Sequence, residues 1–303
     1  MHLSMENQLS LKKQMLIEVF ADFGLTIEPE LVPSPKITNF RYRTQLKCSE
    51  GIVGFSARNS NTIVEIANCK ILSEGILSNL DRIRKLGRIN CEFSLLESSS
   101  SGEVGLSVYE KKKYVTIPGF PEKVSENYGY GEISLRSNTF AQSNPFVTSL
   151  IIQDLMQQIK PGVTIHELYC GCGTFSIPMA KVVNRLIGYE LNQKSVLAAE
   201  QNAELNSLEN TKFISVNLEK PIRLGKPDII VADPPRKGLN NPLIESIHNT
   251  KTDTFLYVSC NPSTLARDAA ALQKTGGFLL EKLTAYDMYC HSTHLELLAV
   301  FHR

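Results

Sequence analysis

The sequence has no apolar run approaching the roughly 18 residues that a membrane helix needs. Nor does a cationic stretch followed by an apolar block stand at Met1 to Ser10, so no signal peptide is read there. Both absences point to the cytoplasm and to no membrane partner. A dominant charge is also missing: Lys+Arg is 32 and Asp+Glu is 31, for a net charge of +1. That excludes a strongly basic coat protein. A local grip on nucleic acid stays open, because contact depends on local charge. No C-x-x-C pair occurs among Cys48, Cys69, Cys91, Cys170, Cys172, Cys260 and Cys290, so a zinc ribbon or finger is not expected. Their number is odd and their spacing irregular, which argues for free thiols rather than a disulfide framework. Most should be buried and inert, leaving room for one that reacts. No internal repeat is visible.

The chain has 303 residues, with 42% hydrophobic and 21% charged residues. At about 150 residues per domain this predicts about two domains, with enough apolar material for a large core and a small one. Leu9, Leu11, Met15, Leu16, Val19, Phe20 and Phe23 fall near helical spacing, and Gly24 follows as a stop. Phe40 to Ile66 alternates in short runs and reads as antiparallel strands. Leu72 to Leu86 predicts a helix, and Ser98 to Gly102 a loop. The texture changes after Tyr128. From Ile151 onward strand and helix patterns alternate, which argues for a doubly wound α/β sheet. The last two strands, Phe278 to Leu283 and Leu295 to Phe301, have no helix between them. The final strand is therefore expected to run antiparallel. The expected division is a small α+β domain at 1–128 and a Rossmann-like domain at 129–303.

The clearest ligand signal is Glu167-Leu168-Tyr169-Cys170-Gly171-Cys172-Gly173-Thr174. Glycines after a strand let the backbone turn and approach a ligand at a helix start. Gly171, Gly173 and Thr174 are thus candidate cofactor residues. Glu190 ends the next strand, about 20 residues on, where an acid can hold ribose hydroxyls. The third glycine of a dinucleotide fingerprint is missing, so a nucleoside cofactor without pyrophosphate fits better, and S-adenosylmethionine is the obvious one. A merely structural turn is the alternative. Asp233-Pro234-Pro235-Arg236 closes a later strand. It reads either as a rigid rim with an acceptor over the ligand or as a stiff loop with an Asp cap. Arg236 at the fourth position argues against an amino-group methyltransferase. Cys260 follows another strand just before a helix start, where a thiolate is favoured and the pKa lowered; the alternative is a small buried residue. Glu296, at the start of the last strand, could act as a base near Cys260. His291 and His294 are not expected as metal ligands.

Together these pieces resemble the RNA uracil-5-methyltransferase family. The resemblance rests on Phe140-x-Gln142-x-Asn144, Tyr169-Cys170-Gly171-x-Gly173, Glu190, Asp233-Pro234-Pro235-Arg236-x-Gly238, Ser259-Cys260-Asn261-Pro262, Asp287-Met288 and His294-x-Glu296, in that order. Tyr42-Arg43 and Cys69-x-Ile71-Leu72 extend it. It implies Cys260 as nucleophile and Glu296 as base. It implies Gln142, Tyr169, Glu190 and Asp233 as cofactor-pocket positions, and it sets Phe140, Asn144 and Arg236 on the substrate side. The implied reaction moves a methyl from S-adenosylmethionine to C5 of a uridine in ribosomal or transfer RNA. The implied chemistry is thiolate addition at C6 and proton removal from C5.

Three departures stand out. The C-x5-C-x-x-C run that often holds an iron–sulfur cluster is missing, although Leu3 to Leu9 resembles the helix that follows it and Cys69 the distant ligand. The chain is thus expected to begin just downstream of the cluster cysteines, by truncation or by loss of the cluster, and no iron–sulfur cluster is expected. Nor is the small β-barrel that many members carry at the N-terminus expected in this sequence. RNA contact then falls to Arg41, Arg43, Lys111 to Lys113 and the Arg82 to Arg88 stretch, any of which can equally be a solvated face. Finally, Tyr289-Cys290-His291 replaces the usual Phe-Pro and polar residue before the base. No obligate protein partner is inferred. The rival readings are an RNA cytosine-5 methyltransferase and a non-catalytic RNA-binding protein on the same scaffold.

Overall fold

The computed structural model describes residues 3–58, 60, 62–86 and 90–303. Arg88 lies outside the described residues. The chain opens with helix α1 (Met5–Ala21) and strand β1 (Glu30–Val32). Strands β2 (Arg43–Ser49), β3 (Ile52–Ser56) and β4 (Ile63–Glu65) follow, then short helices α2 (Glu74–Ser78) and α3 (Leu80–Lys85). Next come β5 (Cys91–Glu97), β6 (Val104–Glu110), β7 (Lys113–Thr116), β8 (Val124–Asn127), β9 (Glu132–Leu135) and helix α4 (Pro145–Gln157). The remainder is β10 (Thr164–Leu168), α5 (Ser176–Ala180), β11 (Arg185–Glu190), α6 (Gln193–Leu205), β12 (Thr211–Ser215), β13 (Ile229–Ala232), α7 (Asn241–His248), β14 (Thr254–Ser259), α8 (Pro262–Gly276), β15 (Leu279–Tyr286) and β16 (Glu296–His302). No described helix is long and apolar enough to cross a membrane.

The chain divides into two units, residues 36–148 and residues 1–35 with 149–303. The division differs from the boundary expected at residue 128. The change of texture marks where strand–helix alternation starts, yet the β8–β9 ribbon pairs Val124 with Leu135 and lies in the smaller unit. The first 35 residues instead join the larger unit. There Leu16 and Phe20 of α1 enter a core with Leu272, Phe278 and Phe301, and β1 pairs in parallel with β15. An amphipathic helix shows that it buries a face, but not which sheet receives it.

The larger unit is a doubly wound α/β sheet of order β1-β15-β16-β14-β13-β10-β11-β12. Strands β12, β11, β10, β13 and β14 run parallel, each pairing with the next. As expected, the last strand β16 is antiparallel to both β14 and β15. The central strand Ile-Ile-Val-Ala of β13 is buried at every position, as a strand covered on both faces requires. Helix α8 shows how local sequence fixes an element. Asn261 caps it by accepting from the Ser263 N–H at 3.2 Å, and Pro262 opens the first turn. Leu265, Ala269 and Leu272 make the buried stripe, and Gly277 ends the helix in the left-handed region.

The smaller unit holds an antiparallel sheet of order β4-β3-β2-β5-β6-β7. Ile76, Leu80 and Ile83 pack with Leu46, Val53, Phe93, Leu95 and Leu106 to form its core. The single helix expected from Leu72 to Leu86 is two short helices, broken at Asn79, whose side-chain amide donates to the Gly75 carbonyl at 2.8 Å.

Candidate active site

Parallel strands end on one edge, and an antiparallel strand begins there. This topology gathers the C-terminal ends of β10, β11, β13 and β14 with the start of β16. Tyr169, Gly171, Gly173, Thr174, Glu190, Asp233, Arg236, Cys260 and Glu296 lie on or just beyond this edge. Ser259 pairs with Leu297 in the β14–β16 ladder. Cys260 and Glu296 each lie one position outward of that pair, and the Glu296 charge acts on the Cys260 thiol.

The loop after β10 is held by backbone and side chains together. Tyr169 takes a left-handed φ of 62°, and its buried hydroxyl has no hydrogen-bond partner among the described residues. The Gly171 N–H donates to Glu190 Oε2 at 3.3 Å, and the Asn192 N–H donates to Glu190 Oε1 at 2.8 Å. The acid at the end of β11 therefore ties the glycine loop to the next strand. Asn202, buried in α6, donates from Nδ2 to the Cys172 carbonyl at 2.9 Å. Thr174 Oγ1 lies 3.8 Å from Cys172 Sγ. Over Gly171 an added Cβ would meet nothing within 4 Å among the described residues, so the loop faces open space among them at that point.

Sequence reasoning gave no role to Glu167, although it stands in the quoted motif. It is buried at the end of β10, accepts from Ser176 Oγ, and burial pushes its carboxyl up to about 8. Asp233 and Glu190 add to that rise, opposing the Ser176 hydrogen bond. Asp233 is itself pushed up to about 7 by burial. Glu296 is 2% exposed, and burial first, then the Asp233 charge, hold its carboxyl well above the usual range, with the Arg236 guanidinium opposing. The edge is thus a crowd of carboxylates whose protons are hard to remove.

The Cys260 thiol departs from its sequence expectation. A position before a helix start predicts a lowered pKa. Burial raises it instead, with Glu296 and Asp233 adding to the rise and Arg236 opposing it. The physical reason is local. The first free N–H groups of α8 are served by Asn261, whose Oδ1 accepts from Ser263. Burial outweighs what the helix start offers the thiol, and the two carboxylates outweigh Arg236.

The loop after β13 is clamped onto α8. The Arg236 carbonyl accepts from Asn261 Nδ2 at 3.0 Å and from Thr264 Oγ1 at 3.2 Å. Asp268 Oδ2 accepts from the Leu239 N–H at 2.7 Å and from Tyr257 Oη at 2.8 Å. The Arg236 side chain is left exposed.

Phe140, Gln142 and Asn144 belong to the smaller unit. Phe140 is 69% exposed. Gln142 and Asn144 are buried, and Asn144 Oδ1 accepts from the Val147 N–H at 3.3 Å at the start of α4. Of the basic candidates, Arg41 donates to the Arg43 carbonyl and Arg43 to the Thr139 carbonyl. Arg82 stacks on Phe120, and Arg84 pairs with Asp81 and Glu65. Lys111, Lys112 and Lys113 stand exposed at the β6–β7 turn. Among the described residues no three His, Cys, Asp or Glu side chains are grouped as a metal site.

Comparison with known proteins bears on this edge. The sequence profile of the tRNA (uracil-5-)-methyltransferase family matches residues 127–303. A tRNA (uracil(54)-C(5))-methyltransferase of Pyrococcus horikoshii is 26% identical over 98% of this chain and 81% of that protein. A 23S rRNA (uracil(1939)-C(5))-methyltransferase of Thiobacillus denitrificans is 29% identical over 100% of this chain and 82% of that protein. The crystal structure of the Pyrococcus abyssi tRNA (uracil-54, C5)-methyltransferase in complex with S-adenosyl-L-homocysteine shares the fold. Its TM-score is 0.83 at 24% identity, covering 99% of this chain and 84% of that one.

Proposed function

Because the chain belongs to the tRNA (uracil-5-)-methyltransferase family, we propose that it methylates uracil C5 in RNA through a covalent bond between Cys260 and C6. It is an S-adenosylmethionine-dependent RNA methyltransferase. The observation that carries the mechanistic reading is the pairing of Ser259 with Leu297, which brings a cysteine and a buried carboxylate to one spot on the sheet edge.

The edge suits the cofactor chemically. The charges of Asp233 and Glu190 act on the buried Glu167 carboxyl, beside a loop with open space over Gly171 among the described residues. Burial holds the protons of Glu167 and Asp233 on, and a ligand carrying a sulfonium and an ammonium favours their ionised forms. Tyr169, Gly171, Gly173, Thr174, Glu190 and Asp233 are the residues that would hold it; Gln142, the remaining expected cofactor residue, lies in the smaller unit. When bound, S-adenosylmethionine supplies an electrophilic methyl on a cationic sulfur.

The residues of the chain do the rest. Uracil C5 is a weak nucleophile until a thiolate adds at C6 and moves electron density through C5 toward O4. Cys260 supplies the thiolate, favoured by Arg236 and opposed by its carboxylate neighbours. After methylation C5 carries both a hydrogen and a methyl. Glu296 takes that hydrogen as a proton, the electron pair reforms the C5–C6 double bond, and the thiolate leaves. A carboxylate with raised proton affinity is the stronger base for this step, provided that it is ionised when the step begins. The target base must leave its stack to be methylated, and Phe140, an exposed aromatic, is the residue proposed to stack on it.

The substrate is a uridine of transfer or ribosomal RNA. The test is methyl transfer from labelled S-adenosylmethionine to the transfer RNA and the 23S ribosomal RNA of a strain lacking the gene, followed by digestion to nucleosides. Labelled 5-methyluridine in one fraction supports the reading and names the RNA. Labelled 5-methylcytidine, or RNA binding with no label, overturns it.

A further inference from the structure

Helix α1 carries a lysine where its buried face would call for an apolar residue. Lys12 is 4% exposed, and its partner Asp287 is fully buried. All three donors of an ammonium can be accounted for. Lys12 Nζ donates to Asp287 Oδ1 at 2.5 Å, to the Tyr289 carbonyl at 3.3 Å and to the His294 carbonyl at 3.4 Å. Every acceptor lies in the segment between β15 and β16. One turn earlier on the same helix, Gln8 Oε1 accepts from the His291 N–H at 3.0 Å. Residues 288–295 lie outside any strand, and His291 holds a left-handed φ of 65°. This is the segment in which Tyr289-Cys290-His291 replaces the family's usual Phe-Pro.

We propose that Lys12 is a positioning residue: its buried ammonium holds the segment Asp287–His294 in the shape that delivers Glu296 opposite Cys260. The carbonyl it grips on His294 is two residues before Glu296. A buried ion pair adds little to stability over an apolar pair of similar volume. Its geometric demand, by contrast, fixes a shape that apolar contact does not. Oδ2 of Asp287 is buried with no hydrogen-bond partner among the described residues, a cost that stability alone does not explain. Gln8 and Lys12 together replace the ladder that the segment lacks.

The proposal rests on the reading of Glu296 as the base that removes the C5 proton. If Glu296 sits wrongly, thiolate addition and methylation still proceed. Proton removal slows, the C5–C6 double bond does not reform, and the methylated RNA stays bonded to Cys260. The variants are Lys12→Met/Asp287→Asn, which removes both charges together, Gln8→Ala, which is mild, and Glu296→Gln as reference. The full chain is assayed with labelled S-adenosylmethionine and the RNA fraction that the parent methylates. Rate, KM for RNA, cofactor binding and labelled RNA–protein adduct stable to detergent are read together. Expected for the double variant are unchanged cofactor binding, KM within about twofold, a rate at least about tenfold lower, and accumulated adduct. For Gln8→Ala a fall of about threefold with some adduct is expected. Parent rates in both, or lowered rates without adduct while Glu296→Gln accumulates it, overturn the role of Lys12 alone. No adduct from Glu296→Gln overturns the base reading itself, and the role of Lys12 with it.

Discussion

Two glycines of the site edge, Gly171 and Gly238, both hold left-handed backbone, with φ of 55° and 73°, yet replacing each by alanine should do different things. At Gly171 an added Cβ meets nothing within 4 Å, so only the backbone preference is lost, about 1–2 kcal/mol. At Gly238 the same atom would lie 2.3 Å from Asp268 Oδ2 and 2.8 Å from Arg267 Nη2. The Asp268 carboxylate cannot simply move aside. It is 1% exposed and accepts from the Leu239 N–H and from Tyr257 Oη. Displacing it leaves one or both donors buried and unpaired, at about 1–3 kcal/mol each. With the backbone cost, Gly238→Ala should lose about 2–8 kcal/mol. For a unit of this size that corresponds to about 4–32 °C in melting temperature. Gly171→Ala should fall by only a few degrees but lose cofactor affinity, because its side chain occupies the space over the loop. Thermal unfolding followed by circular dichroism, with cofactor binding by calorimetry, reads both. Gly238→Ala melting within about 2 °C of the parent would refute the clamp between the Asp233–Leu239 loop and α8.

Asp233 and Glu167 hold their protons up to about 7 and about 8. A cationic ligand prefers them ionised, so S-adenosylmethionine affinity should rise with pH across that window and binding should release protons to the buffer. Calorimetry in buffers of different ionisation enthalpy detects this, and equal affinity on both sides of the window would contradict it. The stability sign is opposite. The folded state keeps the Glu167 proton up to about 8 instead of the ordinary 4.5, so the ligand-free protein loses stability as pH rises between those values. Cys260 should react with iodoacetamide near neutral pH more slowly than a free small thiol, and Asp233→Asn should speed it by removing a charge that opposes the thiolate. Alkylation rates equal in parent and variant would dismiss that charge as a cause. Phe140→Ala should leave the melting temperature unchanged at so exposed a position. It should weaken RNA methylation by about tenfold, as loss of one base stack predicts; unchanged methylation kinetics would remove Phe140 from the substrate side.

Much of the edge was legible in the sequence because strands carry chemistry at their ends. Gly171, Glu190, Asp233 and Cys260 each follow an apolar run, and strand–helix alternation places such positions on one side of a parallel sheet. The antiparallel β16 was legible from a missing helix, and it is what brings Glu296 to the same side. Three features were not legible, each for a physical reason. The pKa direction at Cys260 depends on how deeply the fold buries the thiol and on the carboxylates it sets nearby. The membership of α1 and β1 in the larger unit depends on which of two cores accepts an apolar face. The pair Lys12–Asp287 joins positions 275 residues apart, and a lysine on a helix reads as solvated until its partner is seen.

Turnover by the proposed route requires Cys260 to bond to the target base and Glu296 to release it. The most direct measurement is to trap Glu296→Gln with RNA and labelled S-adenosylmethionine, digest protein and RNA, and map the modified peptide by mass spectrometry. The expected product is one nucleotide, methylated at C5 and still saturated at C5–C6, attached to the peptide containing Cys260, with proton removal slowed by about 10²–10⁴-fold. A nucleotide on another residue, or full methyl transfer by Cys260→Ala, would contradict that route.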